Sequence, residues 1–555
     1  MTAAQDNDVL LIGCGPAGER AASAEVFGFK ACNLWRIARL GLPVPPAFVL
    51  GTGYCRGYFR NQRKAPGDLR DLLATNVRHL EQASGLVFGG IRKPLLVSVR
   101  SGAAVSMPGM LETVLNVGLN DQTLRGLVRM TGNPRVAWDS YRRLVQSYAE
   151  IVHHCPAREF DAACSEQLRL FGLERPGEMD FHQVTILTKV YQDLFEKLTG
   201  YAFPQNPIEQ LEAALLAVWE SWSSHKAAEY RRLNALPDDP GTAVTVQRMV
   251  FGNAGGASGA GVGFTRDPAT GENRIYLDYM FDVQGEDLVS GCANAADIAL
   301  LAEALPEIYK EIAQVARTLE REFRDLQEFE FTVENARLFM LQTRSGKRTP
   351  WAALRIAIEQ VGEGLVAPAE ALAQLNGIDL DGITRARIES VEQGRVLCHA
   401  TTAGFGVASG SIALDPESAQ SMARQGRGVI LVRESTATAD IAGIAAAQGL
   451  LTAAGGRTSH AAVVARQMNK VCLVGCDALS VDLARRRCSI GGKLFDEGEV
   501  ISLDGETGQV IAGEVKVIVE KPAAWLAEVA RWRAAGRVGS SVPQEVLQAA
   551  DQESP

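Results

Sequence analysis

Ten cysteines are scattered through 555 residues, and no two of them form a C-x-x-C pair. This excludes the usual zinc-ribbon spacing and gives no sign of a disulfide framework. Cys472 and Cys476, in the apolar run VCLVGC, read as buried thiols. No apolar run approaches the roughly 18 residues of a membrane-spanning helix, and no signal peptide opens the chain. The expectation is a cytoplasmic protein with no membrane partner. Basic clusters are scarce too. Net charge is −9, and the one basic run is Arg485-Arg486-Arg487. Such a chain is a poor general binder of nucleic acid, and the run reads as a solvated helix end. What the sequence does have is apolar mass. Hydrophobic residues make up 46% and charged residues 22%. That composition supports large buried cores, and the length suggests roughly three or four domains.

The stretch LLIGCGPAGERAAS, residues 10–23, contains G-x-G-x-x-G after an apolar run. A dinucleotide-binding unit would follow those glycines with a helix and a second strand. An acidic residue about 20 positions on would bind the ribose. Here the chain continues SAEVFGFKACNLWRIARLGLPVPPAFVL, with no such strand and carboxylate in the window. The flavin or nicotinamide reading is therefore weak.

Further on, PLLVSVR reads as a buried strand entering the small-residue loop SGAAVSMPG and then a helix. Strand, small-residue loop and helix start would suit a phosphate cradle, with Arg100 as a donor fork. An ordinary surface loop with a paired arginine fits equally well. Residues 120–235 carry apolar residues at helical spacing, and their Trp, Tyr and Leu stripes read as core. FGNAGGASGAGVGF could form a lid, and VQGEDLVSG puts Glu286 in a glycine-flanked turn. EFEFTVENARLFMLQTR reads as a hairpin. Alternation puts Glu328 and Glu330 on one face and does the same for Gln342 and Arg344. That set suits Mg²⁺ with a triphosphate; a solvent-facing charged ladder is the alternative. In GLLTAAGGRTSHAAVVARQ a strand and a Gly-Gly turn precede Thr458-Ser459, at the cap of a helix beginning near His460. A first-turn histidine feels the positive end of the helix dipole. That favours the neutral, nucleophilic ring and would stabilise a phosphoryl group on it.

SVRSGAAVSMPGMLETVLNVGLND, VQRMVFGN…SGAGVGFTRDPATGE…QGEDLVSG, EFTVENARLFMLQTRSGKRT and GGRTSHAAVVARQMNKVCLVGC together resemble the pyruvate, phosphate dikinase family. The likeness runs in order from about residue 10 to about residue 515. It implies an α/β and α+β multidomain chain: an ATP-grasp-type nucleotide region over residues 1–350 with a helical insert at about 120–235, and linker helices over 351–390. A swivelling β/β/α phosphohistidine domain over 391–515 and a C-terminal helix and polar tail over 516–555 complete it. By the same resemblance, Lys30, Arg100, Glu286, Gln342 and Arg344 handle ATP, and Glu328 and Glu330 hold Mg²⁺. Gly109 and Arg143 hold phosphate, and Gly261 is a lid glycine. His460 is the phosphorylated residue. Thr458 matches a regulatory phosphorylation site of some plant members. ATP and inorganic phosphate are the implied partners, with Mg²⁺ and room for a monovalent cation.

The sequence departs from the family in several places. No TIM barrel for pyruvate or phosphoenolpyruvate follows residue 515, so the expected acceptor site is on a separate subunit or is another small molecule. Glu328 stands for a family aspartate and Ala260 for a threonine. GFKACNL stands for GGKGANL, so Phe29 and Cys32 are expected to crowd a tight turn. These changes leave two readings, an ATP-driven phosphohistidine enzyme module and a catalytically weakened, regulatory relative that binds nucleotide or a partner.

Overall fold

In a computed structural model the strand Ala47–Leu50 (AFVL) is buried at all four positions. Its side chains alternate between two cores, as the pleat requires. Phe48 and Leu50 enter a large cluster with Tyr141, Tyr148 and Trp219. Ala47 and Val49 enter a smaller one with Ala31, Leu34 and Trp35. The strand therefore belongs to a sheet covered on both faces. The structure describes residues 9–15, 22–105, 107, 110–234, 236–238, 241–285, 298–390, 394–436, 440–456 and 459–539.

The chain divides into two compact units. The first comprises Met1–Ala260, Phe281–Val283 and Glu330–Arg344; the second comprises Gly261–Met280, Gln284–Phe329 and Ser345–Pro555. The five-stranded sheet lies in the first unit. Its order is Val9–Ile12, Ala47–Leu50, Ala243–Arg248, Val97–Gly102, Thr113–Val117, and every neighbouring pair is antiparallel. This disposes of the dinucleotide reading. The glycine run follows an edge strand in an antiparallel sheet, whereas that fold needs a parallel one. The expected helical insert is present as the helices Thr123–Thr131, Pro134–Val152, Ala157–Phe171, Phe181–Thr199, Pro207–Ser221 and His225–Leu233. Its aromatic stripe is core, with Tyr141, Tyr191 and Trp219 at most 1% exposed.

One expected helix is absent. SGAAVSMPG was expected to lead into a helix, but Thr113–Val117 is a strand, with Thr113 opposite Arg100. Val114 and Val117 are buried in the large core, so long-range pairing overrides the local pattern. The first helix after this loop starts only at Thr123.

In the second unit, Gly261 lies in the strand Gly259–Phe264, buried along its whole length. Arg266, which follows this strand, is 1% exposed. Its guanidinium meets Glu320 at 2.6 Å, Glu359 at 3.1 Å and Glu363 at 2.5 Å.

The last part of the second unit is an eight-stranded sheet. It is ordered Val396–His399, Gln509–Ala512, Val500–Asp504, Val407–Ala413, Val429–Arg433, Gly449–Thr452, Val471–Val474, Thr401–Gly404. The run from Val407–Ala413 through Val471–Val474 is parallel. Chain entry and exit are clamped together, because Arg385–Ile388 pairs antiparallel with Val517–Glu520. Trp525, Leu526 and Trp532 of the C-terminal helix pack with Trp351, Leu354 and Leu375 of the linker helices. The arginine run is not a helix end. Arg486 adopts φ 54° in the turn before the strand Arg487–Ile490. Arg486 pairs with Asp415 and Glu497, and Arg487 with Asp496 at 2.5 Å. Carboxylates neutralise the run in place. Among the described residues, no helix is long and apolar enough to cross a membrane.

Candidate functional site

The helix Phe29–Arg39 begins at Gly28, whose φ of 79° and ψ of 154° suit glycine alone. A Cβ on Gly28 would lie 2.4 Å from the Gly102 carbonyl oxygen. The Phe29 N–H donates to the Ala103 carbonyl at 3.0 Å. Glycine at position 28 thus lets the helix start touch the end of the strand that carries Arg100. The turn is taken by Gly28; Phe29 is already helical and Cys32 is buried in the core. Cys32 is accommodated by burial, while Phe29 stays partly exposed at the helix start. The helix start that meets the end of the Arg100 strand comes from this earlier segment, not from the residues after the small-residue loop.

Ala31, Leu34 and Trp35 pin the helix to the Ala47/Val49 face of the sheet. Arg100 stands opposite Thr245, and Thr245 opposite Val49, so Arg100 and Thr245 share that face. The hairpin adds the other side. Its strands Gln327–Glu334 and Arg337–Ser345 are joined at Asn335 and Ala336. Their φ values of 50° and 57° are those of a type I′ turn. Two bonds hold this hairpin to the Lys30 segment. Asn33 Nδ2 donates to the Thr343 carbonyl at 2.9 Å, and the Met340 N–H donates to the Pro43 carbonyl at 2.8 Å.

Lys30, Arg100 and Gln342 therefore line one cleft, together with Ser101, Thr245 and Gln247. Arg344 and Glu330 lie close enough to act on Lys30 electrically. Lys30 keeps solvent access, yet enough protein surrounds it that desolvation lowers its pKa. Arg100 lowers it further, Glu330 opposes, and Arg344 adds to the depression. Lys30 and Arg100 thus bring two cationic side chains to one cleft. Neither Lys30 nor Arg100 makes a salt bridge among the described residues. The cleft measures only about 20 Å³, far below the roughly 300–1,000 Å³ of an enclosed ligand pocket. It is a charged floor. A larger cavity of about 800 Å³ lies in the second unit beside Trp351, Arg385, Phe405 and Lys470 and contains none of the expected site residues.

The other expected residues are placed as follows. Glu328 is 7% exposed and stands two positions before Glu330 on one strand, so the two carboxylates share a face as expected. No group of three or more metal-ligating side chains occurs among the described residues. Arg143 lies on the helix Pro134–Val152, where it pairs with Asp139 at 2.8 Å; it does not line the cleft. Burial alone would raise the Asp139 carboxyl, but Arg142 and Arg143 hold it below its ordinary value. Gly109, Glu286 and Thr458 fall outside the described residues.

His460 is the first residue of the helix His460–Gln467, and the Ser459 side chain caps that helix by accepting from the Ala462 N–H. The strand Gly449–Thr452 precedes it, so the expected strand, turn and helix start are all present. Thr245 and Gln247 were missed. They are polar residues alternating with valine in the buried strand Ala243–Arg248, and that period-2 pattern was the available signal.

Two family models match the chain. "Pyruvate phosphate dikinase, AMP/ATP-binding domain" matches residues 61–306, and "PEP-utilising enzyme, mobile domain" matches residues 425–508. The Lys30 helix precedes the first match. Curated relatives include three pyruvate, phosphate dikinases. That of Clostridium symbiosum is 40% identical over 499 residues, 89% of this chain and 57% of the relative. That of Rhizobium meliloti is 38% identical over 541 residues, 95% and 60%. Pyruvate, phosphate dikinase 2 of Zea mays is 41% identical over 492 residues, 88% and 56%. The chain spans less than two thirds of the length of these relatives. Nothing in the matches supports a separate acceptor-binding subunit.

Proposed function

From a chain that carries the AMP/ATP-binding domain of pyruvate phosphate dikinase and the mobile domain of the PEP-utilising enzymes, we propose an ATP-dependent phosphotransferase that works through His460. The observation that carries this reading is the pairing of Lys30 and Arg100 on one cleft with Gln342. Two cationic side chains and an amide suit a polyphosphate whose oxygens must be neutralised during transfer. A His460 ring nitrogen attacks the β-phosphorus of ATP; the bond to the α-phosphate oxygen breaks and AMP leaves. Inorganic phosphate then attacks the terminal phosphorus of the pyrophosphoryl group, and pyrophosphate leaves with one phosphoryl group still on the histidine. The relatives' names make pyruvate the first acceptor to test. Glu328 and Glu330 are the residues assigned to Mg²⁺. Two carboxylates fit an ion that takes its remaining ligands from phosphate and water, and the ion would supply charge neutralisation.

Incubation with [β-³²P]ATP, Mg²⁺ and phosphate tests the reading. Acid-labile label on the wild type and none on His460→Ala is expected. Equal label on both, or none on either, overturns it. A nucleotide-binding relative without transfer is the second reading, favoured by the burial of Glu328. It predicts ATP binding with no isotope exchange between AMP and ATP.

A further inference from the structure

Cys398 and Cys476 are 78 positions apart in sequence, yet their sulfurs lie 3.4 Å apart. Cys398 is half-buried and Cys476 buried. Neither takes part in the chemistry proposed above. Cys398 lies on Val396–His399, the edge strand of the eight-stranded sheet. The pairing with Gln509–Ala512 slips between Val396 and Cys398. Bulges at sheet edges re-aim side chains, and this one sits where a thiol meets a second thiol. Cys476 is tied to Thr452, the last residue of the strand that precedes the His460 helix. Its N–H donates to the Thr452 carbonyl at 3.0 Å. The Thr452 hydroxyl donates to the Ala454 carbonyl at 2.7 Å, and the Ser459 N–H donates to the Gly456 carbonyl at 3.1 Å.

We propose that Cys398 and Cys476 form a reversible dithiol site, oxidised by hydrogen peroxide to an internal disulfide that ties the first strand of this domain to the Cys476 loop, which is bonded to the strand end before the His460 helix. Bond formation requires the sulfurs to approach by about 1.4 Å, within the reach of side-chain rotation at an edge strand. The half-buried Cys398 is the sulfur an oxidant meets, and either sulfur can hold the shared proton. The Cys398 sulfur attacks the peroxide, the O–O bond breaks, and a sulfenic acid and water result. The Cys476 sulfur attacks the sulfenic sulfur; the S–S bond forms, the S–O bond breaks, and a second water leaves with the thiol proton. Two thiols are oxidised, one peroxide is reduced, and an added dithiol reverses the change.

The full chain is treated with hydrogen peroxide at a dose that fully oxidises an equal concentration of free glutathione, then alkylated, digested and mapped by mass spectrometry. The expected product is a peptide pair joined through Cys398 and Cys476. It is lost on addition of dithiothreitol and absent from Cys398→Ser and Cys476→Ala. Amide exchange over Thr452–Gly456 slows in the oxidised wild type only. Cys398→Ser replaces a half-buried edge-strand residue, so it keeps the test decisive if Cys476→Ala does not fold. Recovery of the two cysteines as separately alkylated peptides, or as separate sulfinic acids, overturns the proposal.

Discussion

Replacing Gly28 by alanine tests whether the nucleotide floor depends on one backbone contact. Gly28 adopts φ 79° and ψ 154°, a region essentially reserved for glycine, where a Cβ costs about 1–3 kcal/mol. The new carbon would also lie 2.4 Å from the Gly102 oxygen and 2.6 Å from the Gly102 carbonyl carbon. Both are backbone atoms in a strand paired on both sides, so the helix start must move instead. Strain and displacement together should cost about 3 kcal/mol or more. Gly41 supplies the control. Its φ is 74°, but nothing lies within 4 Å of a Cβ built there, so Gly41→Ala should cost only about 1–2 kcal/mol. Urea denaturation of both variants, with fluorescent-nucleotide titration, separates strain from contact. Gly28→Ala should lose both stability and nucleotide affinity, because Lys30 sits two residues into the displaced helix. Equal losses for the two variants, or unchanged affinity in Gly28→Ala, would refute the argument.

Lys30→Met should weaken ATP binding roughly 10- to 150-fold, the loss of one charge-assisted bond worth about 1.5–3 kcal/mol, with an unchanged circular dichroism spectrum; nucleotide titration reads it. The surroundings of Lys30 lower its pKa, and a bound polyphosphate would raise it again. Binding should therefore take up protons and weaken as pH rises, which calorimetry in buffers of different ionisation enthalpy measures, and Lys30→Arg should abolish this linkage. Arg266→Met should cost about 3–5 kcal/mol in urea denaturation, because Glu320 is left buried without its counter-charge. The partly exposed Glu359 and Glu363 contribute less, and Arg266→Met combined with Glu320→Gln should recover much of the loss.

What the sequence revealed about this chain was mostly local. The hairpin was legible because alternation in EFEFTV and LFMLQTR flanks a two-residue turn. The helix at His460 was legible because Ser459 is a capping residue beside small side chains. Features decided by long-range pairing were not. Thr113–Val117 follows a small-residue loop after which a helix was expected, but its register with Val97–Gly102 makes it a strand. Gly261 stands in a glycine-dense run that reads as a loop, yet neighbouring strands bury it. The arginine run looked like a free surface because Asp415, which pairs with Arg486, is 71 positions away. The thiol pair escaped for the same reason, since a search for C-x-x-C finds only neighbours in sequence.

The charged floor is itself an argument about cost. At Lys30, desolvation and the neighbouring Arg100 charge together outweigh the opposing Glu330 carboxylate. A lysine whose folded pKa is depressed destabilises the fold while it remains charged. That penalty is fully present below the folded pKa and is relieved as pH rises toward the ordinary lysine range. Lys30→Met should therefore raise the urea midpoint of the nucleotide-free protein at neutral pH while it weakens nucleotide binding, and the gain should shrink as pH approaches 10. A residue that lowers the stability of the empty site and strengthens the filled one is placed for its ligand. If Lys30→Met lowered both stability and affinity, the lysine would instead be a structural member of the fold, and the case for a polyphosphate at this face would lose its main support.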